Sequence, residues 1–398
     1  MASLNLLFVH EVSYEKKPIF EMHEFPEHLA ARGHRVTFLQ FDEGYKFWRD
    51  QRQPTEKTIS GRVLPETSIK IVTPHQFGIP GVDRLYATIS VWPELDGMLK
   101  SEKFDAIVLY AVPTYGHQVL QLAKKYGVPV IFRALDVSHL IRKSFLGPLI
   151  KSAEKYVYQH ANVLSANNPA MAEYCQALGS RKTGSVVNLP PLDISHFAKA
   201  TPNAALQKEL GIKPTDSVIT YLGTFFHFSG LDVVIREFAE LAAQHPNAKI
   251  LLIGGGEQDK ELRDLVTELK LEKRVLFTGF IPYAKLSGYL GLTTVAINPM
   301  KPGMVSHTAF PHKVIQYMAS GLPVVTTKLN GLYKTFGDTS GLTWSAGSEG
   351  LIGKALALAE DETKLKENSR LQLQTVSNKF GIESAVEAFE ATIRSASK

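Results

Sequence analysis

Phe310-Pro311-His312-Lys313-Val314-Ile315-Gln316-Tyr317-Met318-Ala319-Ser320-Gly321-Leu322-Pro323-Val324-Val325 reads as one short amphipathic helix set between two breakers. Pro311 suits a first helical turn, where a missing N–H costs nothing. Gly321 supplies the left-handed residue that ends the helix. Pro323–Thr326 follows as a strand, and Val295–Asn298 precedes as another. Lys313 falls in the first turn, where a cation opposes the helix dipole unless an anion is held there. Read alone, a lysine at such a place is more often simply solvated.

The same strand-helix alternation runs outward in both directions. Upstream lie the strands Ser217–Leu222, Lys249–Ile253 and Val275–Thr278, with helices Leu231–Gln244 and Lys260–Leu269 between them. The first half repeats the rhythm. Leu4–Val9, Arg35–Gln40, Ile69–Thr73, Ala106–Tyr110, Val128–Phe132 and Val163–Ala166 read as strands, and Phe20–Arg32, Gln118–Tyr126 and Pro169–Leu178 as helices. Two successive alternations predict an α/β protein of two Rossmann-like, doubly wound parallel-sheet domains facing a central cleft. The expected divisions are an N-terminal domain over 1–200, a C-terminal domain over 201–378, and a terminal helix over 379–398 packing back on the first domain. The segment from Pro190 to Pro214 is the expected hinge.

Composition removes several function classes. At 398 residues, with 44% hydrophobic and 21% charged residues, the chain has the balance of an ordinary globular protein of two domains. Its single cysteine, Cys175, excludes an internal disulfide and fits a reducing, cytoplasmic setting. A net charge of +5 is too slight and too dispersed for a nucleic-acid footprint. The histidines lack metal-ligand spacing, so no metal and no cofactor are expected. The mixed basic and apolar run Ile141–Ser152 has two readings: a surface resting on an anionic membrane, or a core helix with wet lysines.

Ligands of open parallel sheets bind beyond the carboxyl ends of the strands, so the loops there come first. Leu222–Gly230 joins a strand to a helix between two glycines, and its amides with His227 suit a diphosphate; three phenylalanines favour a packed turn instead. Gly254-Gly255-Gly256 lets a nucleotide or another backbone approach closely.

In this order, these landmarks resemble the retaining glycosyltransferase family 4, of GT-B fold. Phe310–Val325 looks like the family's P-x-K-x-x-E-Y-M-A-x-G-x-P-V-V variant with Gln316 in place of the glutamate. Leu252–Leu265 resembles I-G-x-G-x-x-x-x-x-L, Val275–Pro282 resembles V-x-F-x-G-x-v-p, and Ala31–Thr37 matches rGHeVt. Asn188–Phe197 stands where relatives read N-G-v-D-x-x-x-F. The resemblance implies transfer of a sugar, with retention of configuration and without metal, from a nucleotide-diphosphate-sugar held mainly by the C-terminal domain. The acceptor would be a glycan, a lipid-linked glycan or a small molecule. The implied donor residues are Gly223, Thr224, His227, Ser229, Gly255, Gly279, Phe280, Thr308, Phe310, Pro311, His312, Lys313 and Gln316. Two departures stand out. The family's glutamate pair is Thr308 and Gln316 here, and its donor-loop Arg and Lys are Thr224 and Ser229. Lys313, with His227 or Lys301, is the candidate replacement for the lost charge. A binding subunit that has lost catalysis, or another GT-B enzyme such as a nucleotide-sugar epimerase, is the alternative.

On the acceptor side, His10 and Glu11 end the first strand, and Asp136 and His139 follow the strand that ends near Phe132. These four are the candidate catalytic groups. The competing reading of His10, Glu11 and Asp136 is helix capping. Ser13, Tyr14, Tyr115, His117 and Arg133 are the candidate acceptor-binding residues, and His117 reads equally as a helix-start residue.

Overall fold

The computed structural model describes residues 2–17, 19–42, 54–76, 82–141, 146–179, 184–197 and 203–397. The chain divides into two compact units, one of Met1–Pro191 with Glu383–Lys398 and one of Leu192–Ile382. The boundary therefore falls before, not after, residue 200. The short helix Ile194–Phe197 lies in the second unit, and its buried Phe197 belongs to that unit's packing.

In the first unit, eight strands of the described residues form one sheet in the order β3-β4-β2-β1-β5-β6-β7-β8. They are β1 (Asn5–Val9), β2 (Arg35–Leu39), β3 (Thr55–Ser60), β4 (Ser68–Thr73), β5 (Ala106–Leu109), β6 (Val130–Ala134), β7 (Val163–Ala166) and β8 (Val186–Val187). The central strands are short apolar runs, as strands covered on both faces must be. Every residue of β1 is buried. All pairings are parallel except β3 with β4, which are antiparallel with Thr55 opposite Thr73. β3 (TEKTIS) is almost wholly exposed and charged, which suits an edge that must not recruit another chain. The purely parallel sheet expected from the sequence is corrected at this one strand.

The second unit carries six strands in the order β11-β10-β9-β12-β13-β14. These are β9 (Ser217–Leu222), β10 (Ala248–Ile253), β11 (Val275–Gly279), β12 (Val295–Asn298), β13 (Val324–Thr327) and β14 (Thr343–Ser345), all parallel. Helix Leu231–Leu241 buries Leu231, Val234, Ile235 and Phe238, a 3.6-residue stripe, against this sheet.

Helix Ile382–Ala396 completes the first unit. Phe389 packs on Phe25 with ring centroids 4.3 Å apart, and Arg32 pairs with Glu383 and Glu390 at 2.8 and 3.1 Å. No described helix is long and apolar enough to cross a membrane.

Candidate active site

In the first unit, the loops after β1, β5 and β6 enclose a cavity of about 430 Å³ lined by His10, Glu11, Lys17, Arg84, Tyr110 and Asp136 among others. The sequence brought His10, Glu11, Arg133 and Asp136 forward, and all four line it. Their states differ. His10 stacks flat on Tyr110 at 5.1 Å, and its Nδ1 accepts the N–H of Glu11 at 2.8 Å. The neutral ring therefore carries its proton on Nε2. Glu11 is buried, and one oxygen accepts the N–H groups of Thr114 and Tyr115 at 2.6 and 3.3 Å. Arg84 lies 3.7 Å from its other oxygen. That carboxylate shapes the loop before helix Gly116–Tyr126, holding the N–H groups of the N-cap residue Tyr115 and its predecessor.

Asp136 is the reverse case. Its carboxyl opens on the cavity and accepts no hydrogen bond from the described residues, so nothing supports a cap there. Its surface is accessible, yet protein crowds it on the cavity wall. Desolvation, joined by the charge of Glu21, raises its pKa to about 6. A carboxyl with that value changes protonation close to physiological pH.

The remaining candidates of this unit are corrected. Arg133 lines the cavity, but its guanidinium is buried and committed: a bidentate pair with Glu21 at 2.7 and 2.8 Å, and bonds to Asn188 O and Ser165 Oγ. His139 turns from the cavity to Glu154, with Nδ1 and the buried carboxylate 2.5 Å apart. Ser13, Tyr14 and Tyr115 are buried. Tyr14 donates its hydroxyl to Glu27 at 2.6 Å, and Tyr115 belongs to the hydrophobic core. His117 is exposed, packs on Tyr156 at 4.7 Å, and does not line the cavity. A position after a strand says which loop holds a residue, not which way its side chain turns.

In the second unit, the ends of β9, β10 and β11 are knitted through glycines. Gly223 N–H donates to Ile253 O at 2.9 Å, and Gly254 N–H to Gly279 O at 3.0 Å. A Cβ on Gly254, at φ +132°, would stand 2.1 Å from Gly223 O. The glycines thus serve first to let two backbones touch. Gly255 lies under the Phe280 ring, which is 76% exposed and offers an open aromatic face beside the turn at Gly279.

Helix His312–Ala319 points Lys313 at Gly223, at the end of β9. Its Nζ donates to Tyr221 OH at 2.7 Å, stands 3.9 Å from that ring's centroid, and is 2.9 Å from where a Cβ on Gly223 would be. Lys313 forms no ion pair among the described residues. One helical turn on, the half-buried Gln316 side chain makes no hydrogen bond to the described protein. A cation without a counter-charge and an amide without a partner share one helix face, three residues apart.

Several neighbours are corrected. Pro311 stands at the N-cap, one residue before the first turn, while Gly321 ends the helix at φ +69°. Ser229 is buried and pins its own loop, donating to Thr224 O and accepting from Phe226 N–H. Thr308 turns its hydroxyl back to Met304 O and Val305 O. Phe310 is buried in a stack with Phe336 and Phe380, and His312 meets its edge at 6.2 Å. His227 is exposed with its N–H on Glu257, and Lys301 is taken by Asp232 at 2.9 Å. Each thus has a carboxylate neighbour, while Lys313 has none among the described residues. Thr224 is half-buried beside them. Among the described residues, no three His, Cys, Asp or Glu side chains are grouped to hold a metal ion.

Comparison with known proteins meets this geometry from both ends. The family described as Glycosyl transferase 4-like domain matches residues 22–190, and the family Glycosyl transferases group 1 matches residues 203–374. The chain is a glycosyltransferase of GT-B fold. Within that class it belongs to the GT4-like glycosyltransferases. N-acetyl-alpha-D-glucosaminyl L-malate synthase of Bacillus anthracis is 22% identical over 377 residues, covering 92% of this chain and 91% of that protein. Alpha-monoglucosyldiacylglycerol synthase of Acholeplasma laidlawii is 21% identical, covering 75% and 73%. Among solved structures, HepE of Anabaena in complex with UDP and glucose superimposes with a TM-score of 0.75 at 17% identity, covering 98% of this chain and 100% of that one.

Proposed function

We propose that the chain transfers a sugar, with retention of configuration and without metal, from a nucleotide-diphosphate-sugar bound by the second unit to a hydroxyl of an acceptor bound in the cavity of the first. The observation that carries the donor half is the Lys313 ammonium beside Gly223, with no carboxylate partner among the described residues and with Gln316 one turn on. Lys313 stabilises the charge that develops on the leaving diphosphate, a contribution that grows as the sugar departs. Gln316 holds a donor hydroxyl as a neutral partner, in place of the family's carboxylate. The exposed Phe280 face suits the flat base of the nucleotide. The relative that makes N-acetylglucosaminyl malate and the neighbour bound to UDP and glucose support the same class of donor.

The acceptor half rests on Asp136, whose ionised form accepts a hydrogen bond from the acceptor hydroxyl and aims it. A cavity of about 430 Å³ takes a small acceptor or the terminal residue of a larger one. In a lipid-linked case the exposed Leu140 and Leu149 near Lys151 would meet the membrane surface; Arg142–Phe145, the basic centre of that stretch, lies outside the described residues.

Calorimetric titration of UDP, GDP and ADP, without added metal, tests the donor half. One nucleotide is expected to bind selectively. Binding of none would move the non-catalytic reading ahead, a reading that the inward-turned Thr308 and pinned Ser229 favour. Asp136→Asn is expected to cut acceptor turnover roughly tenfold or more and leave nucleotide affinity unchanged. Because the carboxyl titrates near 6, activity of the parent should fall as pH drops through about 6, and the variant should lack that inflection. An inflection kept in Asp136→Asn would assign it to another group.

A further inference from the structure

We infer that Arg62, on a hairpin that does not reach the cavity, is a positioning residue for it: its guanidinium fixes the path of the loop that delivers His10, Glu11 and Lys17 to the cavity wall. The inference rests on the reading of that cavity as the acceptor site.

The loop after β1 runs over residues 10–20, of which Pro18 lies outside the described residues. It is too short on secondary structure to hold itself. Arg62 Nη1 donates to Tyr14 O and to Lys17 O, both at 2.7 Å. Through one nitrogen of its rigid, permanently charged fork, Arg62 thus closes two carbonyls three residues apart. The backbone N–H of Tyr14 is held by Gln40 Oε1 at 2.8 Å, so this turn is gripped from both sides.

The fork itself is seated with unusual care. Glu27, fully buried on helix Glu21–Ala31, accepts Tyr14 OH and Arg62 N–H on one oxygen at 2.6 and 2.8 Å. Its other oxygen accepts Val63 and Leu64 N–H at 2.6 and 2.8 Å. A buried carboxylate so satisfied locks the hairpin turn onto the helix. Gly61 permits the approach: a Cβ there would stand 2.5 Å from Glu27 Oε2 and 2.3 Å from Leu64 O. His23, also buried, presents Nε2 to Tyr14 O at 2.7 Å and lies 2.9 Å from Arg62 Nη1. Burial, with the Arg62 charge, lowers its pKa to about 4, so the imidazole stays neutral beside the guanidinium. Arg62, Glu27, His23 and Gln40 thus converge on Tyr14 and Lys17, and the same cluster ties the hairpin turn and helix Glu21–Ala31 to the loop.

The test compares the parent with Arg62→Ala and Arg62→Lys. By hydrogen-exchange mass spectrometry, the segment 10–17 should exchange about tenfold faster or more in Arg62→Ala, with Arg62→Lys intermediate because its shorter, flexible stem holds the ammonium less firmly between the two carbonyls. Exchange in the second unit should not change. Coupling of glycine ethyl ester to Asp136 by carbodiimide, followed against pH, should move its midpoint from near 6 toward the ordinary carboxyl range as water enters the loosened cavity. A role confined to stability leaves that midpoint in place. Parent-like exchange at 10–17, or a parent-like midpoint, overturns the inference. Should Arg62→Ala unfold the first unit, Arg62→Lys carries both readouts at smaller amplitude. Neither readout uses a sugar or a nucleotide. Failure here is therefore separate from failure of the transferase reading, which nucleotide calorimetry decides.

Discussion

Replacing Lys313 with alanine lowers the affinity for the preferred nucleoside diphosphate about ten- to a hundredfold, since a charge-assisted hydrogen bond contributes roughly 1.5–3 kcal/mol. The loss is expected to be this large because the second unit has little to fall back on. Lys301 is bound to Asp232, Ser229 is folded into its own loop, and His227 is exposed with its N–H on Glu257. Melting temperature should hardly move. The variant gives up the contact with the Tyr221 ring and is relieved of a cation at the positive end of a helix, effects of opposite sign and each about 0.5–1 kcal/mol. Calorimetry with the nucleotide that the parent binds best checks this. An affinity within twofold of the parent would remove Lys313 from the donor site; a large fall in melting temperature would mean that the lysine is structural.

Arg133→Met has the largest expected effect on stability, about 3–5 kcal/mol, because it strands Glu21 in the interior. The pair is fully buried and bidentate, and the guanidinium also lies over the rings of Phe25 and Phe389, 5.4 and 5.7 Å from their centroids. Removing it breaks the bond to Asn188 O as well, and with it a tie between β6 and the strand end after β8. Urea denaturation measures the loss. The double variant Arg133→Met, Glu21→Leu should recover much of it, since a buried ion pair replaced by apolar groups is often neutral. If the single variant loses less than about 1 kcal/mol, the pair does not carry the interior as described. Nucleotide binding, which the proposal assigns to the other unit, should survive in protein that remains folded.

The periodic parts of the chain were open to reading from the sequence, and the unpatterned parts were not. Short, fully apolar runs such as Leu6–Val9 and Leu251–Ile253 read as interior strands in a strand-helix alternation, and Gly321 marked a helix end that the structure keeps. β3 was missed because an exposed edge strand carries no apolar alternation. Helix Asp83–Ser101 was missed because Pro93 interrupts its pattern. At the site, loop membership was legible but side-chain direction was not. Tyr14 and Asp136 both follow strands, yet one is an interior plug and the other opens on a cavity. Glu27 and Arg62 gave no local signal at all: their partners lie 13 to 48 positions away in the chain, and only the packed fold brings them together. Lys313 drew notice because a cation in a helix's first turn is locally unfavourable; that it lies on Tyr221 beside Gly223, only the fold shows.

The last helix has a consequence for how the chain comes into being. Its Phe389 and Ile393 are fully buried in the first unit, Arg394 reaches Ala2 O at 2.9 Å, and Thr392 bonds to Asn188. The ribosome, however, makes these residues after the whole second unit. The nascent first unit must therefore wait, with the seat of Phe389 open to water, while 191 further residues emerge and fold. The two halves are thus not interchangeable modules. The second is encoded without interruption and can be completed as it is synthesised, whereas the first closes only once helix Ile382–Ala396, encoded beyond the whole second unit, has been made.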